Sequence, residues 1–226
     1  MNDAFSVILT VLDQARELEE LLPELLKQSY EAGYEVIVVD ESSTDDTSDV
    51  LKLLKNQYPH LYSTFLPAFL PSFLPKPGSR ILRRKQAFNI GLKAAKNEWV
   101  IITKIPNHPL ADDVLQAISE NIDDNPLTLG YHLKKGIRLQ PFDSVDDARK
   151  HILRIERKLH TIREFKCGNY IWGRYDFIIV KKEYAYELLS LFEQDVPAIS
   201  LFGIRLAIFC KNLWRRPSTT LLLTSP

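Results

Sequence analysis

Along the first hundred residues, short continuous apolar runs alternate with stripes in which an apolar residue returns every three or four positions. Phe5 to Leu12 (FSVILTVL) is the first run, and unbroken apolar sequence of this length fits a strand buried on both faces. Leu18, Leu21, Leu22, Leu25 and Leu26 then line one side of a helix, with Asp13 as its expected cap and Pro23 as an expected kink or restart. Glu35 to Val39 is a second strand, and Asp45 opens a helix carrying Val50, Leu51, Leu53 and Leu54. His60 to Leu66 is a third strand. Arg83 to Lys96 is a helix with Ala87, Ile90, Ala94 and Ala95 turned inward, and Trp99 to Thr103 is a fourth strand. Leu110 to Ile122 is a further helix with Asp112 and Asp113 in its first turn. Strand, helix, strand, helix, strand predicts a parallel sheet joined by right-handed crossovers.

The second half is less regular. Leu127 to His132 reads as a strand, followed by polar ribbon to Asp143. Val145, Ala148, Ile152, Ile155, Leu159 and Ile162 mark a long amphipathic helix. Phe177 to Val180 is a strand and Glu183 to Phe192 a helix. Between the third strand and the next helix, Phe65-Leu-Pro67, Phe69-Leu-Pro71 and Phe73-Leu-Pro75 repeat every four residues. Three prolines at that spacing forbid a regular helix and break strand pairing. The segment is therefore an extended apolar loop, packed on a sheet edge or covering a pocket mouth. Ile199 to Cys210 is largely apolar, and Lys211, Trp214, Arg215 and Arg216 follow it. The stretch 199–216 suits peripheral membrane contact and a buried C-terminal helix equally.

The most informative segment is Val36-Ile-Val-Val-Asp40-Glu41-Ser-Ser43-Thr-Asp45-Asp46-Thr47. A buried strand ends abruptly in two acids, three small hydroxyls and two more acids. In open parallel sheets, ligands bind at the carboxyl ends of the strands. Asp40 and Glu41 stand where a ribose or a base could be hydrogen-bonded. A solvated, helix-capping loop is the plainer reading of the same residues.

Composition narrows the picture. The chain has 226 residues, enough for one sizeable core. Lys plus Arg and Asp plus Glu both total 29, so no net field recruits nucleic acid. Charge is uneven nonetheless: Lys76, Arg80, Arg83, Arg84, Lys85, Lys93 and Lys96 form a basic block. It could face the acidic strand end and grip phosphates, or be a solvated helix face. Cys167 and Cys210 form no metal spacing or disulfide framework, the five histidines are scattered, and no apolar run is long enough for a membrane span. With no signal-peptide pattern at the start, the expected location is cytoplasmic, with peripheral contact at the inner face of the membrane through 199–216.

FSVILTVLD, the leucine-rich helix, YEVIVVDESSTDDT and KQAFNIGLKAAKNEW, in that order, resemble the N-terminal half of family-2 glycosyltransferases of the GT-A fold. The usual form there is VVDDGSTDGT, followed by a helix reading ALNxGxxxAxGEY. The likeness spans roughly residues 5 to 110. Gly168 to Tyr184 (GNYIWGRYDFIIVKKEY) resembles the Gly-rich acceptor-side loop that precedes a strand in such enzymes. The resemblance implies an α/β chain with a mostly parallel GT-A sheet and helices on both faces. It implies a single domain over 1–226, with a nucleotide-sugar half at 1–110 and an acceptor half at 127–226. It further implies a nucleotide-diphosphate sugar as donor, a UDP-sugar first, and a glycan or lipid-linked acceptor. Thr10 and Leu12 would lie under base and ribose. Asp40 would bond the base with Glu41 and Ser43 beside it, and Lys85 and Asn89 would face the nucleotide. Asp176 and Asp195, with Glu193, are the candidate general bases for an inverting transfer.

One departure stands out. After the fourth strand the family carries Asp-x-Asp, whose carboxylates hold a divalent metal on the donor diphosphate. Aligned through Glu98-Trp99 and Pro109, those positions are Lys104 and Pro106 here. A protonated lysine cannot ligate Mg2+ or Mn2+, proline has no side-chain oxygen, and hard cations want oxygen ligands. No metal ligand is therefore assigned. Two readings stay open: Lys104 neutralises the leaving diphosphate in the metal's stead, or the chain binds a nucleotide sugar or a partner transferase without turnover.

Overall fold

The computed structural model of this chain describes residues 3–66, 86–105, 110–122, 125–133, 136–148, 150–151 and 177–186. Its strands are β1 (Phe5–Val11), β2 (Tyr34–Asp40), β3 (Leu61–Phe65), β4 (Trp99–Thr103), β5 (Leu127–Leu133), β6 (Gly136–Phe142) and β7 (Phe177–Lys181). They form one sheet in the order β3-β2-β1-β4-β7-β5-β6. β1 pairs in parallel with β2 and β4, and β2 with β3. β7 is antiparallel to both β4 and β5, and β6 is antiparallel to β5. Strands β1 to β5 thus share one direction, which gives the mostly parallel α/β sheet the sequence predicts.

The described helices are α1 (Ala15–Leu26), α2 (Thr47–Gln57), α3 (86–94), α4 (Val114–Glu120), α5 (145–148 and 150–151) and α6 (182–186). Strand alternation divides the core in two. Val7, Leu9, Val36, Val38 and Ile101 meet Leu18, Leu22 and Leu25 of α1, Leu51 and Leu54 of α2, and Leu115 and Ile118 of α4. Ile8, Ile37, Val39 and Ile102 meet Ala87, Phe88 and Leu92 of α3, Val145 and Ala148 of α5, and Ala185 of α6. Both faces are covered, so the central strands are apolar throughout rather than alternating.

Several expectations need correction. Pro23 lies inside α1, which continues unbroken to Leu26. The carbonyl it leaves unpaired belongs to exposed Glu19, within reach of water, while buried Leu22, Leu25 and Leu26 pin the last turn. Ala94 is exposed, because α3 ends there. The helix expected from Leu110 runs only over Val114–Glu120, with Asp113 as its N-cap residue and Asp112 outside it. The polar ribbon after His132 is the strand β6, whose partner β5 supplies the pairing that its own composition does not advertise. Gly91 explains how close α3 sits. A Cβ there would lie 2.5 Å from the Ile8 Cγ2 atom, so only glycine lets the helix rest on β1. The Phe-Leu-Pro segment beyond Leu66, the helix expected beyond residue 151 and the stretch 199–216 lie outside the described residues.

Candidate functional site

Because β1, β2 and β4 are parallel, the loops that leave them emerge on one edge of the sheet. Those loops carry Leu12 to Gln14, Glu41 to Asp46, and Lys104 with Ile105. The first two are tied to each other by side chains. The Asp13 amide donates to Ser43 Oγ at 2.9 Å, and the Thr44 amide donates to Asp13 Oδ1 at 2.7 Å. The Gln14 amide donates to Thr47 Oγ1 at 3.3 Å, and the Ala15 amide to Asp45 Oδ2 at 3.0 Å.

This stitching reverses two cap assignments. Asp13 does not cap α1: the N-cap position is Gln14, which makes no side-chain cap bond, and the Asp13 carboxylate serves Thr44 instead. Asp45, from the neighbouring loop, takes the orphan Ala15 N–H, while its other oxygen accepts the Thr47 N–H at 3.1 Å. One carboxylate therefore serves the first turns of both α1 and α2, and α2 begins at Thr47 rather than Asp45. Partial burial works to raise the Asp45 carboxyl. The Thr47 hydroxyl and the Ala15 and Thr47 amides outweigh it and hold the group below the usual carboxylate range. Asp13 and Ser42 both adopt positive φ, 51° and 65°. Aspartate tolerates that region better than most residues, and the hydrogen bonds around Asp13 hold it there.

Asp40, the last residue of β2, is only 8% exposed. Its Oδ1 accepts both the Ser43 amide at 2.8 Å and the Ser43 hydroxyl at 2.6 Å. Among the described residues its Oδ2 has no hydrogen-bond partner. Its carbonyl accepts from the Leu66 amide at 2.7 Å, and the Ser42 hydroxyl donates to the Leu66 carbonyl, so the end of β3 is drawn into the same loop. Glu41 is fully buried, and its amide donates to the Val11 carbonyl at 2.8 Å. Thr10 is buried and Leu12 half-buried. Thr10 faces Val39 in register and shares the α3 side of the sheet, whereas Asp40 alternates with Val36 and Val38 towards α1 and α2.

A crossover helix starts near the carboxyl edge and ends near the amino edge. Asn89, half-buried in the first part of α3, is on the side where the candidate loops emerge. Lys96, just past the end of α3, is not. Its Nζ stands 4.4 Å from the Tyr62 ring centre and 3.8 Å from Glu35 Oε2, at the amino end of β2. The basic block is therefore not one surface, and its later members do not reach the acidic strand end.

Lys104 is half-buried directly after β4, where its carbonyl accepts from Thr103 Oγ1 at 3.1 Å. Ile105 buries among the α1 and α4 residues, so strand alternation carries past the end of β4 and turns Lys104 to the α3 side. Lysine at this strand end does not fit a divalent metal, and among the described residues no three of His, Cys, Asp and Glu converge on one. No described helix is long and apolar enough to cross a membrane. Lys85, Pro106, Asp176, Glu193 and Asp195 lie outside the described residues. The loop-binding roles of Asp13, Thr44 and Asp45 escape sequence reasoning. Their partners lie about thirty residues away, and only the repeated Asp and Thr at two strand ends hint at them.

Residues 6–103, somewhat under half of the chain, match the family described as Glycosyl transferase family 2. A comparison with curated proteins finds no match. Among solved structures, a mannosyltransferase of Pyrobaculum calidifontis in complex with GDP-Man and Mn2+ has a TM-score of 0.53 at 19% identity. That likeness covers 83% of this chain and 47% of the other and shows a shared GT-A fold. TarS of S. aureus in complex with UDP-GlcNAc aligns at 24% identity and a TM-score of 0.44, over 60% of this chain and 37% of its own. Glucosyl-3-phosphoglycerate synthase of Mycobacterium tuberculosis, with Mn2+, UDP and phosphoglyceric acid, aligns at 15% identity and a TM-score of 0.47, over 80% and 56%. This chain thus spans between 37% and 56% of the length of these structures.

Proposed function

Since residues 6–103 carry the family-2 glycosyltransferase pattern on a GT-A fold, we propose that the protein transfers a sugar from a nucleotide-diphosphate sugar to a glycan or lipid-linked acceptor. The supporting observation is the stitched carboxyl edge of β1 and β2. Asp40 is held there by Ser43 with one carboxylate oxygen still open, beside buried Thr10 and Glu41. A rigid loop of this kind binds a nucleoside without first having to be ordered, which lowers the cost of binding.

Asp40 and Lys104 follow strands with β1 between them, so they stand about two strand spacings apart, roughly 10 Å. That separation suits one ligand whose base meets Asp40 and whose diphosphate meets Lys104. In this reading Asp40 accepts a base N–H, Thr10, Leu12, Glu41 and Ser43 shape the nucleoside pocket, and Asn89 with Lys85 approaches from α3. The Lys104 ammonium neutralises charge on the departing diphosphate, work that a metal performs in relatives with Asp-x-Asp. The acceptor hydroxyl loses its proton to a base in the acceptor half, for which Asp176 and Asp195 are the candidates. A peripheral membrane contact through 199–216 would suit a lipid-linked acceptor.

The cation in place of a metal ligand equally favours a second reading, in which the donor site binds a nucleotide sugar without turnover and the chain serves an active transferase. Calorimetry with UDP- and GDP-sugars, with and without Mn2+, tests the shared part. We expect metal-independent binding that weakens about tenfold or more on Asp40→Ala or Lys104→Ala, the effect of losing one charge-assisted contact. Nucleotide release with candidate acceptors then separates the two readings, because only a working transferase turns over.

A further inference from the structure

We propose that Ser43 is a positioning residue that makes the Asp40 carboxylate selective for a nucleobase presenting a single N–H donor, uracil rather than guanine. The inference rests on the donor-site reading above. Asp40 Oδ1 takes two hydrogen bonds from one residue, the Ser43 amide at 2.8 Å and the Ser43 hydroxyl at 2.6 Å. Two donors use both in-plane lone pairs of a carboxylate oxygen. The hydroxyl cannot turn away to release one, because its oxygen also accepts the Asp13 amide at 2.9 Å and its single proton is already committed to Asp40. At 8% exposure, Asp40 has little room to swing its carboxylate elsewhere. What remains for a ligand is Oδ2 alone.

The nucleobases differ in what they offer such an acceptor. Uracil has one donor, N3–H, and needs one oxygen. Guanine presents N1–H and the 2-amino N–H side by side, an edge matched by two carboxylate oxygens acting together. With Oδ1 occupied, one guanine donor enters a desolvated site without a partner, and a site whose polar groups cannot pair with the ligand rejects it. Cytosine has no hydrogen on N3 and turns an acceptor towards the carboxylate. Specificity then comes from Ser43, a residue that need not touch the base.

Titration calorimetry of the whole chain with UDP, GDP, CDP and 3-methyl-UDP tests this. UDP should bind about tenfold or more tighter than GDP, and CDP and the N3-methylated analogue should lose a similar factor, the scale of one unpaired buried donor or acceptor. Ser43→Ala opens a lone pair on Oδ1 and should pull the UDP-to-GDP ratio towards one, while Ser43→Thr, which keeps the hydroxyl, should restore it. Equal wild-type affinity for UDP and GDP overturns the proposal. So does a Ser43→Ala protein that loses both nucleotides by the same factor, the mark of a merely structural residue. If Ser43→Ala fails to fold, the four nucleotides on the wild-type chain still decide. Absence of binding by all four overturns the donor-site reading itself, an outcome distinct from binding without selectivity.

Discussion

Tyr34 opens β2 with its hydroxyl donating to the Leu25 carbonyl at 3.1 Å, and burial pushes its pKa up to about 12 from an ordinary 10. The ionised form is thus disfavoured in the folded chain and not in the unfolded one. Stability from this group is full below pH 10 and drains away as pH rises from 10 towards about 12. Urea midpoints at pH 8 and pH 11 check it: Tyr34→Phe should show a smaller drop between the two than the wild type. An equal drop would mean that other groups govern alkaline unfolding. Gly91 shows the limit of reading single residues. A glycine inside a helical pattern is visible at once in the sequence. Its cause, the Ile8 methyl 2.5 Å from where a Cβ would stand, belongs to a residue 83 positions earlier.

Among the elements, the loop from Asp40 to Thr47 does three jobs: it ends β2, starts α2 and caps α1. Its acids read in the sequence as a ligand mouth or as a capping loop. The structure supports both, and divides the work by residue. Asp45 and Thr47 cap, Asp13 and Thr44 tie the two loops together, and Asp40 with Ser43 keeps one oxygen open. Asp45→Ala removes the acceptor for two helix-end amides and should lower stability by about 1 kcal/mol, the usual size of a lost cap. Urea denaturation measures this, and Asp45→Asn, which keeps acceptor oxygen, should recover part of it. The strand β6 and the trans cap of α1 were not legible locally. Strand pairing and capping of this sort are satisfied by partners that the local pattern does not contain.

Across the whole molecule, the two edges of the parallel sheet do different work. At the amino edge the buried Glu35 carboxylate accepts the Ser6 hydroxyl and the Lys96 amide, both at 2.7 Å, and so joins β1, β2 and the end of α3. Glu35→Ala strands those donors and should cost about 1–3 kcal/mol of stability by chemical denaturation. Nucleotide affinity of the folded protein should hold within error, because the candidate site is at the opposite edge. A large loss of affinity below the melting temperature would break that division. The sequence by itself determined the elements of the parallel half. Runs such as Ile-Val-Val and Val-Ile-Ile can be buried only in a covered sheet, and stripes at helical spacing can only cover it. It also determined that acids and small hydroxyls gather at the end of β2. Tertiary structure alone decided which of those acids remain open to a ligand. Each carboxylate oxygen is claimed by whichever amide or hydroxyl the fold brings within hydrogen-bond reach, and the amides of Asp13 and Ala15 reach this loop only because β1 and β2 lie side by side.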